Sequence, residues 1–152
     1  MKTKVLMVCL GNICRSPLAE GILESKVDPR QVLVDSAGTA GYHLGKSPDR
    51  RSIAVARKYG IAIEHQECRK FTDRDLDDFD FIYAMDRDNY RNILALAKSE
   101  AHRGKVKLLL QEVDLGIQEV PDPYYGGDDG FEHVFHMINT ACETIANRLN
   151  QE

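Results

Sequence analysis

Residues Lys4 to Pro17 read KVLMVCLGNICRSP. Lys4 to Cys9 is an almost unbroken apolar run, the pattern of a strand buried on both faces. Ser16-Pro17 reads as an N-cap followed by the first helical position. The helix it opens is expected to reach about Val27, with Leu18, Ile22 and Leu23 facing inward. A buried strand therefore passes through a short polar loop directly into a helix, which is the opening unit of an α/β fold.

The same grammar continues outward. Gln31 to Asp35 (QVLVD) is a second strand, and Ser36 to Lys46 a Gly-rich loop. Ser47-Pro48 repeats the N-cap and proline signal for a helix that stops at Gly60. Thr72 caps a short acidic helix, Phe79 to Ala84 is a third strand, and a helix follows over about Arg87 to Lys98. Lys105 to Leu110 is a fourth strand, and Leu115 to Asp129 a long loop. Phe131, Val134, Phe135, Ile138, Ala141, Cys142, Ile145 and Leu149 form one stripe at helical spacing. The expectation is a small doubly wound α/β domain over residues 1–152. It has a four-stranded parallel sheet with helices on both faces. Ligands bind beyond the carboxyl ends of the strands in such folds, and Cys9 stands at one of those ends.

Composition narrows the function classes. A chain of 152 residues buries enough surface to fold without staples. Its net charge of −4, with no Lys/Arg run, gives no reason to expect nucleic acid as a partner. The two lysines before the first apolar run faintly imitate a signal peptide, but the run is short and no cleavage site follows. No stretch approaches the roughly 20 apolar residues of a transmembrane helix. A cytoplasmic setting is the expectation. Cys9, Cys14, Cys68 and Cys142 suit neither a disulfide scaffold nor a zinc site, as no C-x2-C pair exists. Cys142 reads as core and Cys68 as an inert, partly exposed thiol.

The loop itself admits several readings. Cys9 and Cys14 are too far apart for a thioredoxin-type motif. No G-x-G-x-x-G or G-x4-G-K-[ST] follows the strand. Gly41, Gly45, Lys46 and Ser47 imitate the latter, one residue short and without a leading strand. Gly and Asn are ordinary turn residues, and a buried Cys ends many strands. The combination says more. A loop wrapped between a strand and a helix N-terminus can aim several backbone N–H groups at one centre, where the helix end favours an anion. Arg15 can fork two hydrogen bonds to phosphate oxygens. The same field favours the thiolate of Cys9. The Ser16 hydroxyl is placed to donate to that sulfur. Residues Leu10, Gly11, Asn12, Ile13 and Cys14 complete a cradle with a nucleophile at its centre.

At this point the sequence resembles the low-molecular-weight protein tyrosine phosphatases. VCLGNICRSPLAE is similar to that family's phosphate-binding loop, and VPDPYYGG, Val120 to Gly127, resembles its acid loop. VDSAGT at Val34 to Thr39, Gly41-Tyr42, Gly60 to His65 and Met85-Asp86 match in the family's order. The resemblance implies Cys9 as nucleophile, Arg15 as phosphate clamp, Asp122 as general acid and base, and Ser16 as thiolate stabiliser. It implies that Asn12, Ser16, Ser36 and His65 hold the loop in shape. Tyr42, Tyr124 and Tyr125 would line the cleft around an aromatic ring. It also implies no metal or other cofactor, and phosphotyrosine-containing proteins as substrates, a tyrosine kinase among them. Inorganic phosphate and other oxyanions would inhibit, with neither nucleic acid nor membrane as partner.

Read alone, PDPYYGG is ordinary turn chemistry. Beside Cys9 and Arg15 it gains a purpose, because a leaving phenolate needs a proton and a carboxylic acid can supply it. Asp122 must then be protonated when it acts, and a nearby anion or burial against Tyr124 and Tyr125 would favour that form. His43, His102, His133 and His136 read as solvent-facing. An arsenate reductase of this fold would need further cysteines to relay a disulfide. A phosphoarginine phosphatase would carry Thr where Ile13 stands. A non-catalytic phosphotyrosine-binding module would not need the complete Cys9, Arg15, Ser16 and Asp122 set. Cys14 reads as packing, and also as a thiol near enough to trap an oxidised Cys9 as a disulfide.

Overall fold

The computed structural model describes residues 2–124 and 128–150. Tyr125 lies outside them. The chain forms β1 (Thr3–Cys9), α1 (Arg15–Glu24), β2 (Val32–Gly38), α2 (Arg50–Lys58), α3 (Asp75–Asp78) and β3 (Phe81–Ala84). It continues with α4 (Arg87–Leu94), α5 (Glu100–Gly104), β4 (Val106–Leu108), a 3-10 turn (Leu109–Glu112) and α6 (Asp128–Asn150). The four strands are all parallel, in the order β2-β1-β3-β4.

β1 is central, and its alternation builds two cores. Val5, Met7 and Cys9 pack with Leu18, Ile22, Ile138 and Cys142, which come from α1 and α6. Leu6 and Val8 pack on the opposite face with Leu76, Ile82, Ile93 and Leu108. Helices therefore cover both faces, as expected of a doubly wound sheet. The chain order reverses on either side of β1, so the crevice beyond the carboxyl ends of β1 and β3 is the switch point of the fold. The loop after Cys9 and Asp86, just past β3, both open there.

The differences from expectation lie at element ends. α1 begins at Arg15, with Cys14 at its N-cap and no side-chain cap. Ser16 is not the cap because its hydroxyl is engaged by Asn12 and Cys9. Asp49, not Ser47, caps α2 by accepting from the Arg51 N–H. Thr72 does not cap α3; its N–H donates to the Asp75 carboxylate. The expected helix to Lys98 ends at Leu94, and Ser99 caps a separate short helix, α5.

Candidate active site

β1 ends at Cys9 and α1 starts at Arg15, so the five residues between must turn within one loop. Asn12 takes the left-handed region at φ 58°. Asparagine tolerates that conformation better than most side chains. The neighbouring strand makes room. A Cβ on Gly38 would lie 2.8 Å from the Leu10 carbonyl and 3.0 Å from the Asn12 nitrogen, so only glycine fits beneath the loop. Thr39 and Ala40 N–H groups then bind the carbonyls of Cys9 and Leu10. With these two carbonyls drawn toward the end of β2, the trans peptides turn the Leu10 and Gly11 N–H groups the opposite way.

Cys9 is buried, its Sγ 3.3 Å from the Asn12 N–H and 3.0 Å from the Ser16 hydroxyl. The direction of the second bond follows from its neighbours. The Asn12 side-chain oxygen accepts from the Arg69 N–H at 3.0 Å, which orients the amide. Its Nδ2 donates to Ser16 Oγ at 2.8 Å and to Ser36 Oγ at 3.0 Å. Ser16 accepts from Asn12, so its own proton is free for the Cys9 sulfur. Ser36 likewise accepts from Asn12, and its hydroxyl donates to Glu20 Oε1 at 2.6 Å. Glu20 is buried and its carboxyl is pushed up to about 8, first by burial and against the Ser36 hydrogen bond, with Glu24 and Asp35 adding to the rise. His65, expected among these supports, stands elsewhere. It is exposed in the turn after α2. Glu20 and the Arg69 N–H hold the two ends of the network instead.

Arg15 is 3% exposed, yet it reaches the cleft. Its Nη1 donates to Asp86 Oδ2 at 2.7 Å and to the Val120 carbonyl at 2.9 Å. Burial opposes its charge, but Cys9, the Asp86 hydrogen bond and Asp122 more than compensate, so it stays a cation. Asp86 also caps α4 through the Asn89 N–H at 2.8 Å, which fixes the carboxylate that fixes Arg15. Val120 donates to the Met85 carbonyl, tying the start of the PDPYY segment to the end of β3. Asp122 is thereby brought to the same crevice. Its Oδ2 lies 3.8 Å from Arg15 Nη2, its Oδ1 accepts from the Tyr124 N–H at 3.0 Å, and its side chain is 43% exposed.

A cleft of about 310 Å³ opens over these groups. Its floor is Cys9, Leu10, Gly11, Ile13, Cys14 and Arg15, and its walls are Tyr42, His43, Asp122 and Tyr124. Tyr42 is largely exposed at the mouth. Tyr124 is anchored by its carbonyl, which accepts from Arg51 at 2.8 Å. The arrangement offers a cation, a cradle and a sulfur at the bottom of a slot with aromatic rims. That suits a tetrahedral anion carried on a flat ring. Cys14 is buried, and burial, with Asp49 and Cys9 adding, raises its thiol well above the ordinary range. Cys9 and Cys14 are both free. Among the described residues, no cluster of three or more metal-ligating side chains occurs, and no helix is long and apolar enough to cross a membrane.

Sequence reasoning missed several participants. Asp86 carries a weak signal, a carboxylate just past a strand end. His43, expected to face solvent, packs its ring over Gly11, where a Cβ would lie 3.2 Å from it. Glu20 looks like one more polar residue of a helix. Cys68, expected to be partly exposed, is buried beneath the loop.

The profile of a family described as low molecular weight phosphotyrosine protein phosphatase matches residues 4–152. A low molecular weight protein-tyrosine-phosphatase of Bacillus subtilis, YfkJ, is 39% identical, covering 97% of this chain and 96% of its own. A low molecular weight phosphotyrosine protein phosphatase of Schizosaccharomyces pombe is 44% identical over 84% of this chain and 85% of its own. The crystal structure of a protein tyrosine phosphatase from Entamoeba histolytica superposes with a TM-score of 0.93 at 35% identity, covering 99% of this chain and 98% of that one.

Proposed function

The chain belongs to the low molecular weight phosphotyrosine protein phosphatases, and on that premise we propose how its own residues carry out the family's hydrolysis of phosphotyrosine. Arg15 and the backbone N–H groups of residues 10–15 bind the phosphate oxygens and the charge that develops on them. The Cys9 sulfur, as thiolate, attacks phosphorus in line while the P–O bond to the ring breaks. Asp122 gives its proton to the departing phenolate. Water then attacks the cysteinyl-phosphate, Asp122 takes the water's proton, the S–P bond breaks and inorganic phosphate leaves. Ser16 stabilises the returning thiolate. Residues 1–152 act as one phosphatase domain in the cytoplasm, with no metal or other cofactor.

The observation that carries this assignment is the convergence on Cys9. An Asn12 N–H and a Ser16 hydroxyl whose proton is free meet one sulfur in an open cleft that the buried Arg15 also lines. Tyr42 and Tyr124, with Tyr125 expected to join them, guide the aromatic ring. Ile13 on the floor crowds a guanidinium and favours a ring, which sets phosphotyrosine above phosphoarginine. The substrates are phosphotyrosine-containing proteins, a tyrosine kinase among them, and free phosphate competes for the cradle. Cys14 protects the site. A sulfenic acid formed on Cys9 by peroxide condenses with the Cys14 thiol, releasing water and leaving a disulfide that external thiols reduce.

Initial rates on phosphotyrosine, p-nitrophenyl phosphate, phosphoarginine and arsenate test the whole reading. Both aryl phosphates are expected to turn over fastest. Faster turnover of phosphoarginine, or thiol-coupled reduction of arsenate, overturns the substrate assignment. For the redox part, peroxide inactivation should reverse with thiol in the wild type and become irreversible in Cys14→Ala. Equal recovery in that variant removes Cys14 from the scheme.

A further inference from the structure

The phosphate loop is held from behind by a group that the mechanism does not use. Segment 68–71 runs beneath it, fixed on two sides. The Cys68 N–H binds the Lys46 carbonyl at 2.8 Å, and the Cys68 carbonyl accepts from Gly45 at 2.9 Å. Gly38 donates to the Arg69 carbonyl at 2.9 Å, and Phe71 to the Gly38 carbonyl at 2.7 Å. This clamp delivers two donors to one residue. The Arg69 N–H binds the Asn12 side-chain oxygen at 3.0 Å, and the Cys68 thiol donates to the Asn12 main-chain carbonyl at 2.8 Å.

The second contact has a directional consequence. In a planar trans peptide the carbonyl and the following N–H point in opposite directions. Asn12 is buried and does not line the cleft, whereas Ile13 does. A thiol that draws the Asn12 carbonyl toward the back of the loop therefore turns the Ile13 N–H toward the cleft. Asn12 holds a left-handed backbone, a conformation that persists where its surroundings fix it, so this peptide plane depends on its partners. If it turned, an oxygen would face the anion where a proton donor is needed. Among the described residues, Cys68 is the only donor to that carbonyl.

We propose that Cys68 is a positioning residue for the phosphate site, its thiol locking the Asn12–Ile13 peptide so that the Ile13 N–H faces the bound oxyanion. The thiol keeps its proton for this purpose. Burial, with Cys9 adding, pushes Cys68 up to about 11. The inference rests on the phosphate reading of the loop and assigns no chemistry to Cys68 itself.

The test compares inhibition by inorganic phosphate and KM for p-nitrophenyl phosphate in wild type, Cys68→Ala, Cys68→Ser and Cys142→Ala. One lost hydrogen bond corresponds to roughly a 3- to 10-fold change. Cys68→Ala is expected to weaken phosphate inhibition and raise KM by about that factor. Cys68→Ser, which keeps a donor, should recover most of it. Cys142→Ala, which removes a buried thiol that faces the Ala19 carbonyl of α1 and gives the loop no hydrogen bond, should leave both constants unchanged. If Cys68→Ala does not fold, Cys68→Val fills the sulfur's space without a donor and takes its place. Wild-type constants in the donor-free variant, or a serine variant as weak as the donor-free one, overturn the proposal. Phosphate that fails to inhibit the wild type overturns the reading of the loop itself, a distinct outcome.

Discussion

The two halves of the cleft are built by different means. In the loop from Cys9 to Ser16, Cys9, Asn12, Cys14, Arg15 and Ser16 are buried, and Asn12 by itself is tied to Ser16, Ser36, Cys68 and Arg69. The opposite wall is open. Asp122 is 43% exposed, it accepts from the nearby Tyr124 N–H, and Tyr42 is 72% exposed. The difference follows from what each side must do. A cradle that stabilises developing charge works only if its dipoles are fixed in advance. A group that gives up a proton and takes one back from water must keep contact with the substrate and with solvent. Rigidity therefore belongs to the anion side and access to the acid side.

Substitutions on the rigid side should be the most severe. Cys9→Ser is expected to lower kcat for p-nitrophenyl phosphate by about 10⁴-fold or more, because the attacking atom is gone. The cradle is intact in that variant, so phosphate should still bind, which calorimetry can check. Appreciable turnover would remove Cys9 as nucleophile. Arg15→Lys comes next. A single ammonium cannot serve Asp86, the Val120 carbonyl and a phosphate together, as the guanidinium can. A loss of about 10²- to 10³-fold in kcat/KM is expected. A lysine variant within a few-fold of wild type would show that the buried clamp matters less than the backbone donors.

The open side should give a conditional effect. Asp122→Ala is expected to slow hydrolysis of phosphotyrosine by about 10²-fold or more, since its phenolate leaves only with a proton. p-Nitrophenolate leaves without much help, so the same variant should lose far less on p-nitrophenyl phosphate. The ratio of the two losses is the measurement. Equal losses would mean that Asp122 shapes the cleft without acting as the acid, and the contrast between the two walls would fail.

The contrast also explains what was legible in the sequence. The strand and helix order could be read because each element carries its own periodicity, and β1 is the plainest case. Cys9, Arg15 and Asp122 stood out because each lies in a dense local block. What could not be read depends on partners distant in the chain. Ser16 looks like a helix cap until Asn12 and Cys9 claim its hydroxyl. His65 matches a pattern, yet the turn after α2 leaves it exposed, and Glu20 ends the network in its stead. Cys68 sits among polar neighbours, and only its pairing with residues 45 and 46 carries it under the loop. The supports of the rigid side come from several distant segments, whereas Asp122 and Tyr124 share one short stretch.

Glu20 offers the finest test, since it touches the rigid side only at its far end. Burial raises its carboxyl from 4.5 to about 8. Below about pH 4.5 the folded and unfolded chains both hold this proton, and Glu20 makes no pH-dependent difference. As pH rises from there, the unfolded chain releases the proton while the fold keeps it, so stability is lost by about 1.4 kcal/mol per pH unit. The loss is complete once pH passes about 8, where the folded carboxyl ionises too. Glu20→Gln stays neutral and can still accept from Ser36. Urea denaturation at pH 5, 6, 7 and 8 should show the variant gaining on the wild type at each step. Its kcat at pH 6 should stay within a few-fold, because Ser36 and Asn12 retain their bonds. Parallel stability profiles would mean that Glu20 is ionised in the fold, and that the network behind Cys9 ends on a charge.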